Sequence, residues 1–424
     1  MLFPAYLVFF AWLVTKVKFF KSSGLNNAQL IILFLLKVMA GIFYGWIGVY
    51  YGEMAQMIDT WAYHVESLQE YELLKTHPID FVTSLFHSSY DNGYGNFLTT
   101  HNSFWNDVKA NFLIKIMAVF HLFSFGHYYV NVIFYSFITL FAPIAIFRVM
   151  NQVYPGRKMI ILLATFLIPS FLYWTSGLHK EGLIFSGLAL MLYHLYSGFK
   201  ENRFTFRRIL SILLGFILVL ILRNFLILTI LPPLFAWALS RKLPFKPIIT
   251  FTAVMTLAII FFFTARYIHP SLDFPAATVV KQHEFLKLRG GSAVPVRELT
   301  PSAWSFLVNL PQSISLTLIR PYPSDVRHLL SLAAALEINF LLLLFIFFLI
   351  WHKPNTRQDA FILCCLFVSL GILLMVGYTV NILGAIVRYR SIVLPLLVVP
   401  MVAQTDWPRI FSLVNSNIKI KNNI

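Results

Sequence analysis

Apolar runs about as long as a bilayer is thick recur along this chain, and they close off most folds before any motif is read. A helix needs roughly 20 predominantly apolar residues to cross the hydrocarbon core. In hydrocarbon, only helices and closed barrels satisfy every backbone polar group internally. Hydrophobic residues make up 58% of the 424 residues and charged residues 12%, against roughly 25% charged in soluble domains. The expected fold class is all-α, a polytopic transmembrane helical bundle. The net charge of +16 does not indicate nucleic acid, because the Lys and Arg residues are scattered between spans, as membrane topology requires. Cys364 and Cys365 are adjacent inside an apolar run and have neither metal-ligand nor loop-closing spacing. Neither a metal nor a cofactor is expected.

Charge then threads the chain. Leu2 to Val14 precedes Lys16, Lys18 and Lys21, an order expected for an anchor with its N-terminus outside rather than for a cleaved signal. The positive-inside rule places Arg148 to Lys158, Lys200 to Arg208, Arg241 to Lys246, His352 to Arg357 and the tail from Arg409 inside, provided that 111–125 does not span. That segment is short and carries Lys115 and His121, and is expected to lie along the outer surface as an amphipathic or re-entrant helix. Eleven spans result: about 2–20, 28–51, 128–147, 159–176, 180–198, 209–222, 225–240, 247–267, 329–351, 359–379 and 383–403. The organisation is N-terminal helices over 1–51, an acidic outer loop with amphipathic helices over 52–127, and a central bundle over 128–267. A second outer loop over 268–328, and C-terminal helices with a cytoplasmic tail over 329–424, complete it.

The acidic loop is the feature that bears on function. Glu53 to Asp107 holds eight of the seventeen acidic residues, with Lys75 inside it and Lys109 just past its end. On this threading several polar groups converge at one level. Asp59 to His64 follows the second span, and Ser176 to Glu181 forms a hairpin. Arg223-Asn224 sits at a turn, Arg320 to Pro323 precedes the span at 329, and Arg388-Tyr389-Arg390 lies in the last span. Ionisable residues at membrane depth usually face a cavity or a partner. Arg suits phosphate or pyrophosphate through paired hydrogen bonds, and a carboxylate nearby suits proton removal from a hydroxyl. If 59–70 is helical, Asp59, Tyr63, Glu66 and Glu70 share a stripe and His64 points away. Each group also has a structural reading. Asp59 would cap a loop, Lys180 and Glu181 would pair, Arg223 would mark topology, and Arg388 and Arg390 would snorkel. Trp61 and Tyr63 are candidates to stack on sugar rings.

The stretch Asp59-Thr60-Trp61-Ala62-Tyr63-His64 and the late Arg388-Tyr389-Arg390-Ser391-Ile392-Val393-Leu394-Pro395, with the many spans, resemble the GT-C superfamily of integral-membrane glycosyltransferases. The segments Trp174 to Glu181 and Arg320 to Pro323 look like those of membrane proteins encoded near bacterial polysaccharide genes. The resemblance implies transfer of a sugar from a polyprenyl-phosphate carrier to a glycan, lipid or protein acceptor on the non-cytoplasmic face of a bacterial inner membrane. It implies Asp59 as the base, and Lys180, Glu181, Arg223, Arg320, Arg388, Arg390, Tyr63 and His64 as substrate-binding residues. The loop at Arg289-Gly290-Gly291-Ser292 would close over the substrate. The chain departs from the family in placing the acidic loop after the second span and in lacking an Asp-X-Asp or Asp-Glu pair there. A polysaccharide polymerase or ligase and a non-catalytic assembly subunit are the alternatives. A transporter would show inverted repeats and polar groups near the midplane, and neither is read from the sequence.

Overall fold

A computed structural model describes residues 2–51, 59–86, 104–288, 290–353 and 359–410. Glu53, Asp91, Arg289, most of the basic 352–357 stretch and the tail beyond 410 lie outside the described residues. Everything regular among the described residues is helical, with two isolated bridge pairs and no strand. Among the described residues, six helices are long and apolar enough to cross a membrane, or up to eight spans if each of two bent pairs counts as one. The protein is an integral membrane protein.

The chain runs through α1 (Leu2–Val14), α2 (Asn27–Tyr50), α3 (Asp59–Thr76), α4 (Phe104–Ser124) and α5 (Tyr128–Val153). A bent pair follows, α6 (Lys158–Phe166) and α7 (Pro169–Ser176), and then α8 (Lys180–Lys200), α9 (Phe206–Arg223), α10 (Leu226–Ser240) and α11 (Pro247–Thr264). After α12 (Phe274–Lys287) and α13 (Ala303–Ile314) come α14 (Leu329–Trp351), α15 (Ala360–Thr379), and a second bent pair, α16 (Leu383–Ser391) and α17 (Leu394–Gln404).

Local chemistry sets these limits. Asn26 caps α2 by accepting from Gln29 N at 2.7 Å, and the Gln29 side chain returns the bond to Asn26 N, a reciprocal arrangement that satisfies two free donors. Asp359 caps α15 through Phe361 N at 2.8 Å. The α6–α7 break falls at Pro169, which has no N–H to donate and pushes Ile168 into an extended conformation (φ −67°, ψ 116°). The bend is 55° there and 64° between α16 and α17, where Pro395 stands in the first turn. The stretches 159–176 and 383–403, expected as single spans, are therefore bent pairs.

The second expected outer loop holds regular structure, and the segment expected as a surface helix is helical. The region 268–328 contains α12 and α13, and α13 packs on α15. The 111–125 segment is the body of α4, which packs along α3, with Lys115 donating to Glu70 at 2.7 Å. The glycine-containing turn is tied down rather than loose. Val294 N donates to Asn381 O at 2.9 Å, Leu383 N to Ser292 O at 3.0 Å, and Arg327 Nη1 to Gly291 O at 2.8 Å.

Close backbone approach positions the helices that carry the polar groups. Where α8 crosses α9, a Cβ on Gly215 would stand 2.5 Å from Gly187 O, and one on Gly187 would stand 2.7 Å from Gly215 O. Small residues permit such crossings in membranes. Across the bundle, Lys37 of α2 is buried and donates to Thr175 O at 2.6 Å, with Ser176 Oγ at 3.3 Å. It binds the last turn of α7, where free carbonyls favour a cation.

Candidate functional site

Asp59 opens α3, and its neighbours fix it there. Thr60 Oγ1 donates to Leu178 O at 3.1 Å and contacts Tyr128 Oη at 2.8 Å. Trp61 donates to Gly45 O at 2.9 Å and stacks on Tyr128 with ring centres 4.1 Å apart. These contacts hold the start of α3 against the turn between α7 and α8. Trp61, expected as a sugar platform, is already stacked inside the protein.

That turn supplies the centre of the site. Glu181 is fully buried at the start of α8. Its Oε1 accepts from Arg223 Nη2 at 2.5 Å and lies 3.4 Å from Arg388 Nε, and its Oε2 contacts His179 Nδ1. Tyr135 donates to the His179 carbonyl. The other ring nitrogen, His179 Nε2, has no hydrogen-bond partner among the described residues and stands 3.6 Å from Asp59 Oδ2. Arg388 Nη1 is 3.5 Å from the same Asp59 oxygen. A continuous polar chain thus runs Asp59, His179, Glu181, Arg223, with Arg388 bridging the two carboxylates. Aromatic faces back the cations: Arg223 lies 3.7 Å from the Tyr389 ring centre, Arg388 5.7 Å from Trp174 and Lys180 5.2 Å from Tyr63. Such stacking stabilises a guanidinium more as it is desolvated.

The electrostatics follow. The His179 ring holds the Asp59 carboxyl down at about 2, against the opposing effect of burial, and Arg388 and Lys180 add to the lowering. Burial, with Asp59 next, raises the Tyr63 phenol. Lys109 of α4 and Lys281 of α12 are each pushed down to about 8, chiefly by burial. Cations outnumber carboxylates around the site.

Asp59 and Arg388 lie on the wall of a cavity of about 1090 Å³. Tyr44, Trp174 and Tyr389 line it beside them, and residues of α7, α14 and α16 form much of the remaining surface. The Asp59 side chain is 49% exposed and that of Arg388 20%, so both reach the cavity. Lys180, Glu181, Arg223 and Tyr63 stand behind this wall rather than on it.

Three expected site residues are elsewhere. Arg390 is fully buried and donates to Arg320 O at 2.6 Å. Two residues along a helix turn through roughly 200°, so Arg388 and Arg390 present opposite faces, and only the first reaches the cavity. Arg320 faces Asp325 at 3.6 Å and lies 5.0 Å from the Tyr322 ring centre. His64 is buried beside His121 and Tyr128, on the far side of α3 from Asp59. Comparison with family models, curated proteins and solved structures returns no match.

Sequence reasoning passed over His179, quoted only as part of a hairpin, and passed over two ionisable residues inside the spans. Lys37 and Glu337 are each buried within long apolar helices. A lone charge inside an apolar run is itself a signal of a cavity or a partner.

Proposed function

We propose that the protein is an integral-membrane glycosyltransferase that moves a sugar from a polyprenyl-phosphate carrier to a hydroxyl-bearing glycan, lipid or protein acceptor. The observation that carries this reading is the meeting of Asp59 and Arg388, 3.5 Å apart, on the wall of one large, mainly apolar and aromatic cavity. An anion-binding guanidinium beside a carboxylate is what transfer from a phosphate-linked donor requires, and apolar walls suit an isoprenoid chain.

In this reading Arg388 holds the donor phosphate. Asp59 takes the proton of the acceptor hydroxyl as that oxygen bonds to the anomeric carbon. The bond from that carbon to the phosphate oxygen breaks, and the phosphate leaves with the electron pair. A carboxyl held near 2 is a weak base at neutral pH. A phosphate that engages Arg388 removes one of the cations lowering it, so donor binding itself makes Asp59 more basic. His179 acts behind Asp59 as a positioning residue, held by Glu181.

The eleven-crossing threading belongs to the same reading. It requires α1, α9 and α10 to cross in addition to the long helices and bent pairs, and it puts the acidic insert and the cavity mouth on the non-cytoplasmic face of a bacterial inner membrane. The test is transfer from a polyprenyl-phosphate sugar by purified, reconstituted protein. Asp59→Asn is expected to lose about 10²–10⁴-fold in rate with donor binding retained, and Arg388→Ala to weaken donor binding. Full activity in Asp59→Asn would remove the assigned base and favour a polymerase or ligase.

A further inference from the structure

A second polar group lines the same cavity, on helices that carry none of the residues discussed so far as base or phosphate ligand. Glu337 of α14 is 7% exposed and Ser170 of α7 is 8% exposed, and both are cavity-lining. Glu337 Oε2 accepts from Ser170 N at 2.6 Å. Glu337 Oε1 and Ser170 Oγ have no hydrogen-bond partner among the described residues, and neither do Arg390 Nε and Nη2. A buried polar atom without a partner costs about 1–3 kcal/mol, so the Glu337 and Ser170 oxygens, both on the cavity wall, mark a place where something else bonds. Arg390, whose remaining contacts are backbone carbonyls, is fully buried and interacts electrostatically with Glu337.

We infer that Glu337 and Ser170 form a recognition site for the hydroxyl groups of a sugar, separate from the anion-binding end at Arg388. The charges decide the ligand class. A carboxylate oxygen with a free lone pair accepts from a hydroxyl and repels phosphate, and a serine hydroxyl both donates and accepts. Helix geometry gives the spacing. Ser170 and Trp174 are on one helix, about 6 Å apart along its axis, and Arg388 lies over Trp174. The hydroxyl-binding end is therefore about one helical turn along α7 from the ring that Arg388 faces, on the wall of the same cavity, which suits a glycosyl phosphate. This deepens the proposed function and rests on its view that the cavity takes a lipid-linked head group.

Binding to protein in nanodiscs, read by native mass spectrometry, separates the two ideas. The probes are a polyprenyl phosphate hexose and the corresponding polyprenyl methyl phosphate, which has the same diester charge and no sugar. Wild type is expected to prefer the hexose by at least tenfold. Glu337→Gln keeps the Ser170 N contact and is expected to lose about ten- to hundredfold in hexose affinity with the methyl diester unchanged. Ser170→Ala is expected to lose about two- to tenfold, and decides alone if the loss of charge beside Arg390 prevents Glu337→Gln from folding. A preference for the hexose that survives in the folded variants would overturn the inference, as would equal binding of both probes by wild type; the proposed function would stand in both cases. Binding of neither probe by wild type would refute the proposed function itself.

Discussion

Replacing Glu181 with Gln tests the charge network directly, and its size can be worked out from the contacts. Gln keeps the shape but has no charge, and its amide has one accepting oxygen where the carboxylate has two for Arg223, Arg388 and His179. Arg223 would lose its anionic partner at 2.5 Å and Arg388 its anionic partner at 3.4 Å, while the His179 contact would face a donor or a weaker acceptor. Removing one side of a buried ion pair costs about 3–5 kcal/mol. Arg223 retains the Tyr389 face at 3.7 Å, a cation–π contact worth up to about 2 kcal/mol when desolvated, which sets the expectation near the lower end, about 3 kcal/mol. The partner variant Arg223→Met removes the stranded charge. The double variant is therefore expected to be more stable than the sum of the singles predicts, by about 2 kcal/mol. The assay is equilibrium unfolding in mixed micelles or bicelles on all four proteins. Additivity within about 0.5 kcal/mol would refute the view that Glu181 and Arg223 are energetically one unit.

Arg390→Ala is expected to lower thermal stability sharply and Arg388→Ala much less, because only Arg390 is fully enclosed; midpoints in detergent check this, and equal losses would remove the distinction between the two faces. Gly215→Ala should force α9 away from α8, since its Cβ would sit 2.5 Å from Gly187 O. It should cost about 1–3 kcal/mol and loosen the Arg223–Glu181 contact, visible as faster hydrogen exchange at the end of α9. The folded-state value of Asp59, about 2, is below the ordinary 3.8, so its pairing contributes stability that is present above about pH 4 and lost as pH falls through 2. His179→Gln removes the largest cause and should move the carboxyl titration up towards 3.8, measured by carboxylate infrared absorption. An unmoved titration would assign the lowering to Arg388 and Lys180.

The spans were legible because a long apolar run with charged flanks has few other fates, and the limits of α2, α11, α14 and α15 fall close to the expected ones. The bends were less so. Pro169 and Pro395 are visible in the sequence, but hydropathy averages across them and reports one span. Asp59 and Arg388 were legible as unusual groups at related depths, whereas their approach to 3.5 Å depends on packing of distant helices. Arg390 shows the limit of motif reasoning. It shares a motif with Arg388, yet the helical turn between them separates cavity from core. His179 was hidden because a histidine in a hairpin has no distinctive periodicity, and its importance comes from a buried glutamate two residues on. Glu337 was the missed opportunity, since one acid in a 23-residue apolar helix needs no structure to be noticed.

The two sides of the cavity are not equally held. On one side Lys37 fastens α7 by a buried ammonium bound to Thr175 O, and displacing that helix would strand a charge in hydrocarbon, at a cost of about 2.5–3.5 kcal/mol or more. On the other, α14 turns Leu329, Leu336, Phe340 and Ile350 outward, where lipid tails yield to a moving helix far more readily than packed protein does. Glu337 of α14 meets Ser170 of α7 at 2.6 Å, so the anchored helix and the lipid-facing one are joined across the cavity by a buried carboxylate.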